Sequence, residues 1–193
     1  MYEKSLTTIS NMLDAARYRF INSNYDDITM SDIAEDAGVT KGAIYHHFDG
    51  KQHLYLTMMH RYLAELQALL QAAVDSEGTA RERLTTLTRL YLEMPQEEQK
   101  VVQLVRRDNG RFSGTERDEL VRAYQNALPK QIEQIIQDGI EGGEITAADP
   151  RILSWQHVAI VEVGLSEYAR ERLGNAAEMA EYLTNMFMDG AGK

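Results

Sequence analysis

Residues 29–51 constrain the fold more than any other part of the chain, because they hold two helix-start signals separated by a glycine. Thr29 and Thr40 are good N-cap residues, whose hydroxyls accept a hydrogen bond from an amide in the first turn of a helix. Gly38 lies between them, where the chain must take a left-handed backbone angle that glycine adopts at low cost. The segment therefore predicts two short helices joined by a tight turn.

The apolar residues of this segment have the spacing of a helix-turn-helix. Ala34 is small, as required where two helices cross, Gly38 forms the corner, and Ile44 anchors the second helix. The other sides of the second helix carry no carboxylate. They form a basic and aromatic surface made of Lys41, Gly42, Tyr45, His46 and His47.

The end of the second helix adds a more specific pattern. Tyr45, His46, His47 and Phe48 are followed three residues later by Lys51. In this pattern the chain resembles the TetR family of bacterial transcriptional regulators. The resemblance implies DNA contacts from nine residues: Thr29, Thr40, Lys41, Gly42, Ala43, Tyr45, His46, His47 and Lys51.

The chemistry of these side chains allows a division of labour on DNA. Thr40, with the amides at its helix start, can bind one phosphate, and Lys51 can pair with another. His47 is expected on the backbone, whereas Phe48 is expected in the core. Base reading in the major groove is assigned to Lys41, Gly42, Tyr45 and His46. The alternative for the group from Lys41 to His47 is an ordinary solvated helix surface without DNA contact.

Charge is an objection to DNA binding. Up to His60 the chain has five Lys and Arg against eight Asp and Glu, whereas a DNA-binding domain is normally basic. The acids, however, cluster between residues 26 and 36, and the second helix carries Lys41 without any acid. We therefore expect modest nonspecific affinity with a shallow salt dependence.

Length and composition bound the remaining possibilities. With 193 residues the chain is long enough for two domains, predicted as a helix-turn-helix DNA-binding domain over residues 1–50 and a ligand-sensing and dimerisation domain over residues 51–193. The absence of cysteine excludes disulfides and cysteine metal sites. The first residues do not resemble a signal peptide, and no apolar run is long enough to span a bilayer. A cytoplasmic location without membrane contact is expected.

The chain is predicted to be all-α, with about nine helices. It has only three prolines and shows no strand-like alternation of useful length. The first helix, over residues 4–22, completes the N-terminal three-helix domain. A fourth helix should run from residue 51 to about residue 75, a rod of about 35 Å or more. The others are expected at residues 79–93, 95–107, 115–141, 149–172 and 175–188.

The predicted helix over residues 149–172 is unusual because it is apolar on nearly all sides between Trp155 and Leu165. A surface helix keeps a polar face, so this one needs a second apolar partner. The resemblance implies a homodimer through the last two long helices, which suits a palindromic operator. The alternative is a single helix buried on every side. The last helix offers an apolar stripe of Met179, Tyr182, Leu183, Met186 and Phe187.

The resemblance also implies a repressor that a small-molecule effector releases from DNA by occupying a pocket in the larger domain. Such pockets are mostly apolar with a few polar groups. Each candidate lining residue is also a reasonable core residue. The candidates are Leu66, Tyr91, Met94, Arg106, Phe112, Tyr124, Leu128, Trp155, His157, Val161, Glu162 and Tyr168.

A basic cluster of Arg106, Arg107 and Arg111 suggests a second kind of effector. Arginines suit phosphate and carboxylate, so the cluster could hold an anion such as the phosphates of an acyl-coenzyme A. The protein would then regulate lipid or aromatic-acid metabolism. The alternative is salt bridges to nearby acids.

Two other classes of protein compete with a regulator. A helical di-metal enzyme needs Glu three residues before His, and none of the five histidines has one there. No catalytic residue, metal or cofactor is therefore predicted, and the chain is not expected to be an enzyme. A helical adaptor that uses its N-terminal helices for protein contact is the third class.

Overall fold

The protein, represented by a computed structural model, is described for residues 2–191, with side chains from residue 6 onward except at 109 and 191. These residues form α-helices, two 3-10 turns (Tyr25–Asp27 and Asn109–Arg111) and no strand, which confirms the all-α class. The helices are α1 (Tyr2–Asn22), α2 (Met30–Asp36), α3 (Lys41–His47), α4 (Lys51–Val74), α5 (Ala80–Glu93), α6 (Gln96–Asp108), α7 (Gly114–Ala127), α8 (Pro129–Glu141), α9 (Pro150–Gly164), α10 (Glu167–Leu173) and α11 (Ala176–Ala191).

The predicted number of nine helices is wrong, because two predicted long helices are each interrupted within the described residues. The first break lies at Leu128, whose backbone leaves the helical region, and Pro129 then starts α8 at a position where proline is tolerated. The second break follows Gly164. There Ser166 starts α10 by accepting a hydrogen bond from the amide of Ala169 at 3.2 Å.

The contacts divide the chain into two compact units. The first unit contains the chain up to Leu63 together with Gln96–Ala123, and the second contains Ala64–Pro95 and the chain from Tyr124 onward. Helices α4 and α7 each contribute residues to both units. The sequence places a boundary between a DNA-binding domain over residues 1–50 and a second domain over residues 51–193. This boundary stays a prediction.

The first unit is built around α1, which packs on α2 and α6. Its most distinctive feature is an aromatic cluster of Phe20, Tyr25, Tyr55 and Phe112. The ring centroids of Phe20 and Tyr55 are 4.8 Å apart, and those of Tyr55 and Phe112 are 5.4 Å apart. Such ring pairs add to the free energy gained by burial alone, so the cluster anchors the segment around Phe112 beside α1 and α4.

In the second unit α9 packs on α8 and α11, and α5 packs on both α8 and α11. The inner side of α9, which includes Leu153, Val158 and Val161, is buried. Its outer side is exposed and nevertheless apolar, with Ile152 at 59% and Val163 at 67% exposure. The prediction of a helix that is apolar on two sides is therefore confirmed, and the alternative of complete burial is wrong.

No helix in residues 2–191 has both the length and the apolar character that crossing a membrane requires.

Candidate functional site

Helices α2 and α3 form the predicted helix-turn-helix. Thr29 starts α2 with a capping box: its hydroxyl accepts from the amide of Asp32 at 3.2 Å, and its own amide donates to the Asp32 carboxylate at 2.8 Å. Thr40 starts α3 by accepting from the amide of Ala43 at 3.1 Å. Gly38 makes the turn with φ of +66°. The local signals in the sequence therefore produce the helix starts and the corner that they predict.

Two of the three acidic residues of α2, Asp32 and Asp36, are engaged within the protein. Arg19 of α1 donates two hydrogen bonds to Asp36, one from Nη2 to Oδ1 at 2.7 Å and one from Nε to Oδ2. This pairing lowers the pKa of Asp36. Hydrogen bonds from Thr29 lower the pKa of Asp32. Two of the acids that opposed DNA binding in the sequence, Asp32 and Asp36, thus hold α2 in place.

The outward face of α3, made of Lys41, Gly42, Tyr45 and His46, is exposed. The Lys41 ammonium lies 6.0 Å from the centroid of the Tyr45 ring. Ala43 and His47 are half-buried at the edges of this face, and the rings of His46 and His47 meet edge to face at 5.1 Å. Ile44 and Phe48, by contrast, are buried. The structure therefore brings six of the predicted DNA contacts together on or beside one helical face.

Two other predicted DNA contacts have partners inside the first unit. The Lys51 ammonium donates to the carbonyl oxygens of Tyr25 at 2.6 Å and Ile28 at 2.8 Å, and it lies 4.5 Å above the Tyr25 ring. An ammonium has three donors, so Lys51 keeps one for a phosphate. The Thr29 hydroxyl donates to Asp32 at 2.7 Å in addition to accepting from it. Sequence reasoning missed the role of Lys51 because its two acceptors are backbone atoms more than twenty residues away.

The second unit contains a small, partly enclosed cavity between α5, α8 and α9. Its volume is about 10 Å³, roughly the space that one water molecule requires. Tyr91, Leu128, Val161 and Glu162 were predicted for such a pocket. The complete lining is Leu87, Thr88, Tyr91, Leu128, Ile132, Val158, Val161 and Glu162.

The other predicted pocket residues do not line this cavity. Phe112 belongs to the first unit, where its ring packs against Tyr25 and Tyr55, because the segment before α7 lies beside the turn at Tyr25 and the start of α4. Trp155 and Tyr168 face outward, with exposures of 36% and 68%. The lining residues that were not predicted have the ordinary helical spacing of core residues. This spacing does not distinguish a pocket wall from a packed core. The predicted residues outside the lining are Leu66, Met94, Arg106, Phe112, Tyr124, Trp155, His157 and Tyr168.

His157 is completely buried behind the cavity wall. Its Nε2 lies 2.9 Å from the hydroxyl oxygen of Thr88, which itself lines the cavity. The His157 ring also meets Phe187 edge to face at 5.0 Å. Burial lowers the pKa of His157 to about 4. The imidazole is therefore neutral near pH 7, and the pair that it forms with Thr88 is uncharged.

The predicted basic cluster is largely a salt-bridge network in the first unit. Asp108 is 1% exposed and accepts from Arg107 Nη2 at 2.8 Å, Arg111 Nε at 3.4 Å and the Tyr55 hydroxyl at 3.1 Å. Arg111 also donates to Asp26 at 2.6 Å. Burial, together with the neighbouring Asp108 carboxylate, raises the pKa of Tyr55. For Arg107 and Arg111 the salt-bridge alternative is the one that the structure shows.

A metal centre would need several ligands in one place. In the part of the chain that is described, no three His, Asp or Glu side chains are close enough together to hold a metal ion. The helical di-metal enzymes considered above require clustered carboxylates and histidines.

Family models match the chain in two places. The model described as bacterial regulatory proteins, tetR family, matches residues 12–58, and the model described as tetracyclin repressor-like, C-terminal domain, matches residues 77–163. The transcriptional repressor KstR2 of Mycolicibacterium smegmatis is 25% identical over 132 residues, which are 68% of this chain and 64% of that repressor. The chain thus spans slightly less than two thirds of this relative.

The fold agrees with solved structures over nearly the whole chain. FadR of Bacillus subtilis in complex with stearoyl-CoA superposes with a TM-score of 0.76 at 17% identity, covering 94% of this chain and 98% of FadR. AibR in complex with isovaleryl coenzyme A and operator DNA superposes with a TM-score of 0.77 at 18% identity, covering 93% and 97%. With a helix-turn-helix of this geometry and both family models matched, the chain belongs to the TetR family of bacterial transcriptional regulators.

Proposed function

We propose that the protein is a homodimeric repressor that binds a palindromic operator through α3 and leaves it when a small-molecule effector binds in the second unit. The observation that carries the proposal is the outward face of α3. It presents exposed basic and aromatic side chains without a carboxylate, on a short helix that is capped at its start and anchored by Ile44. A face of this kind suits the major groove of DNA.

Gly42 supports close contact between α3 and DNA. A Cβ atom at this position would meet only the Thr40 hydroxyl, at 3.9 Å, so the fold itself does not require glycine here. Glycine inside a helix costs about 1 kcal/mol relative to alanine. An approaching DNA backbone or base edge explains why a residue without a side chain stands in the middle of the exposed face. The Thr40 hydroxyl, which accepts from Ala43, keeps its own hydrogen for a phosphate.

The homodimer is supported by the exposed apolar side of α9 and α11. On α9 this side includes Ile152, Trp155 and Val163, which recur at helical spacing. On α11 it includes Tyr182 and Met186, exposed by 49% and 55%. Contiguous apolar patches of this kind mark interaction surfaces. Two-fold pairing of these helices would present two copies of α3 to two operator half-sites.

Dimerisation is testable by light scattering after size-exclusion chromatography. Val163→Glu places a charge on the most exposed apolar side chain of the α9 stripe, and we expect it to yield monomers that no longer bind the operator. Tyr168→Glu, at an exposed tyrosine outside this stripe, is the matched control and should stay dimeric. Monomeric wild-type protein at micromolar concentration would contradict the homodimer.

Effector release is proposed because the cavity of the second unit is lined mainly by apolar side chains. The repressor KstR2 among the relatives supports repression as the sign of regulation. A second candidate, an acyl-coenzyme A or other anionic-ligand sensor in lipid or aromatic-acid metabolism, is favoured by the acyl-coenzyme A complexes of FadR and AibR. In this chain, however, Arg107 and Arg111 are already salt-bridged to Asp108 and Asp26.

The experiment that tests operator binding is selection of bound fragments from genomic DNA, followed by fluorescence anisotropy with the selected sequence. We expect Tyr45→Ala to relax the preference for one base pair. Tyr168→Ala, at a still more exposed tyrosine of the second unit, should change nothing. Failure of the wild-type protein to bind any fragment at low salt would contradict the proposal and favour the adaptor class.

A further inference from the structure

The 3-10 turn Tyr25–Asp27 holds the ammonium group of Lys51. That group donates to the carbonyl oxygens of Tyr25 at 2.6 Å and Ile28 at 2.8 Å, and it lies 4.5 Å from the centroid of the Tyr25 ring. Both acceptors are backbone atoms, so their positions follow the backbone of the turn. The direction of the third N–H donor of Lys51, the one available to a phosphate, therefore depends on where this turn lies.

The turn is also held by Arg111, which lies far outside the helix-turn-helix in the sequence. Its Nη1 donates to the carboxylate of Asp26 at 2.6 Å, and its Cζ atom lies 5.6 Å from the centroid of the Tyr25 ring. Arg111 and Lys51 thus contact the same aromatic ring. A planar guanidinium that both stacks on a ring and pairs with a carboxylate fixes the two consecutive residues that carry these groups.

Arg111 is itself anchored to a buried group. Its Nε donates to Asp108 at 3.4 Å, and Asp108, which is almost completely buried, also accepts from the Tyr55 hydroxyl at 3.1 Å. Phe112, directly after Arg111, packs its ring against both Tyr25 and Tyr55. The core of the first unit therefore fixes the segment from which Arg111 reaches the turn.

From these contacts we infer that Arg111 is a positioning residue for DNA binding: through Asp26 and the Tyr25 ring it holds the turn that directs Lys51 towards a phosphate of the operator. The inference rests on the proposed function, in which Lys51 meets DNA. It gives a role in DNA recognition to a residue outside the predicted DNA-binding domain over residues 1–50.

The alternative is an ordinary surface salt bridge. The side chains of Arg111 and Asp26 are 39% and 71% exposed, and ion pairs of this kind contribute little to the free energy of unfolding. Arg111→Ala should therefore leave the urea midpoint close to that of the wild type. An effect on DNA binding without a comparable effect on stability separates the positioning role from the alternative.

Operator binding measured by fluorescence anisotropy tests the positioning role. We expect Arg111→Ala to weaken binding by about tenfold, because the phosphate contact of Lys51 is lost. Arg117→Ala, at an exposed arginine of α7 in the same unit, removes the same charge and should have a much smaller effect. In a Lys51→Ala background, Arg111→Ala should cause no further loss, since it acts through Lys51.

Asp26→Asn gives an effect whose sign separates positioning from charge. If charge alone acted, removing a carboxylate from this unit would strengthen DNA binding. We expect Asp26→Asn instead to weaken operator binding by about threefold, because an amide holds the guanidinium of Arg111 less firmly than a carboxylate does. Glu35→Gln, at an exposed carboxylate of α2, is the matched control and should not weaken binding.

The position of Lys51 can also be followed without DNA. The ring current of Tyr25 shifts the NMR signal of the Lys51 ε-methylene protons, and Lys51→Arg identifies this signal by its disappearance. We expect Arg111→Ala to move the signal towards that of a solvent-exposed lysine. Arg117→Ala should leave it in place.

Three results would overturn the inference: an unmoved Lys51 signal in Arg111→Ala, losses of affinity that add in the double variant, or tighter operator binding by Asp26→Asn. The wild-type protein tests the proposed function separately. If it binds no DNA while the Lys51 signal still depends on Arg111, the proposed function fails and the contact is structural alone. If it binds the operator and Arg111→Ala binds equally well, DNA binding stands and the inference falls.

Discussion

Two regions of the first unit carry basic side chains, and they differ in what those side chains contact. On α3, Lys41 is exposed and lies near a tyrosine ring, with no carboxylate on the same helix. In the network around Asp108, Arg107 and Arg111 share a carboxylate that is almost completely buried. The first kind of cation is available to a phosphate, whereas the second already has its anion.

The comparison teaches that the number of Lys and Arg residues in a domain says little about its ability to bind DNA. The net charge up to His60 is negative, yet Asp36 and Asp32 of α2 are held by Arg19 and Thr29 while the outward face of α3 is free of acids. What matters is the local field where the DNA lies. Lys51 is intermediate, with two donors used inside the protein and one available.

The largest expected effect concerns Asp108. Asp108→Ala leaves the Tyr55 hydroxyl buried without its acceptor and removes the shared anion of Arg107 and Arg111, so we expect the free energy of unfolding to fall by about 3 to 4 kcal/mol. Urea denaturation measures this loss. Asp118→Ala, at an exposed carboxylate on α7, is the control and should change it little. A loss of similar size in both variants would remove the distinction between the two regions.

The histidines extend the comparison, because His46 is exposed on α3 while His157 is buried. The pKa of His157 is about 4 in the folded protein and 6.5 ordinarily, so the unfolded chain takes up its proton first as pH falls. Stability is therefore complete above pH 6.5 and declines towards pH 4, by at most roughly 3 kcal/mol.

Denaturation at several pH values, compared between wild type and His157→Leu, isolates this contribution from that of the carboxylates. The slope between pH 6.5 and pH 4 should become shallower in His157→Leu. An unchanged slope in His157→Leu would contradict the role of this buried imidazole.

Variants of Lys51 and Lys41 distinguish a structural role from a role in DNA binding. Lys51→Ala loses two charge-assisted hydrogen bonds, so we expect stability to fall by about 2 kcal/mol. We also expect it to weaken binding to all DNA sequences alike and to reduce the salt slope by about one. Lys41→Ala should leave the urea midpoint unchanged and weaken operator binding. An unchanged urea midpoint for Lys51→Ala would contradict the structural role.

The smallest expected change has opposite signs for stability and function. Gly42→Ala should raise the free energy of unfolding by about 1 kcal/mol, because alanine favours the helix and its methyl group makes only an ordinary contact with the Thr40 hydroxyl. The same methyl group should weaken operator binding, measured by anisotropy. An increase in stability with unchanged affinity would show that DNA does not approach α3 closely at this residue.

The helix-turn-helix could be predicted from the sequence because its determinants are local. The caps at Thr29 and Thr40 and the turn at Gly38 each act within a few residues. The break between α7 and α8 was also signalled locally, because Pro129 disfavours a helix interior and suits a first turn, but the apolar spacing that continues across it favoured one long helix. The outward side of α9 was predictable because its apolar residues outnumber the positions that one buried face can hold.

Contacts between distant parts of the chain were not predictable in this way. Arg111 pairs with Asp26, and Lys51 bonds to backbone carbonyls, at separations for which charge and spacing carry no information. Phe112 illustrates the same limit: an aromatic residue at a loop is equally suited to a ligand pocket and to the cluster with Tyr55. Its location depends on the tertiary fold.

The small volume of the cavity between α5, α8 and α9 has a kinetic consequence. A molecule larger than water can enter only after the walls separate, so the observed association rate should level off at high ligand concentration, where wall opening limits it. Departure passes through the same barrier and should be slow. The operator would therefore stay unoccupied for some time after the free effector has disappeared. Transcription of the regulated genes would outlast the presence of the effector by that interval.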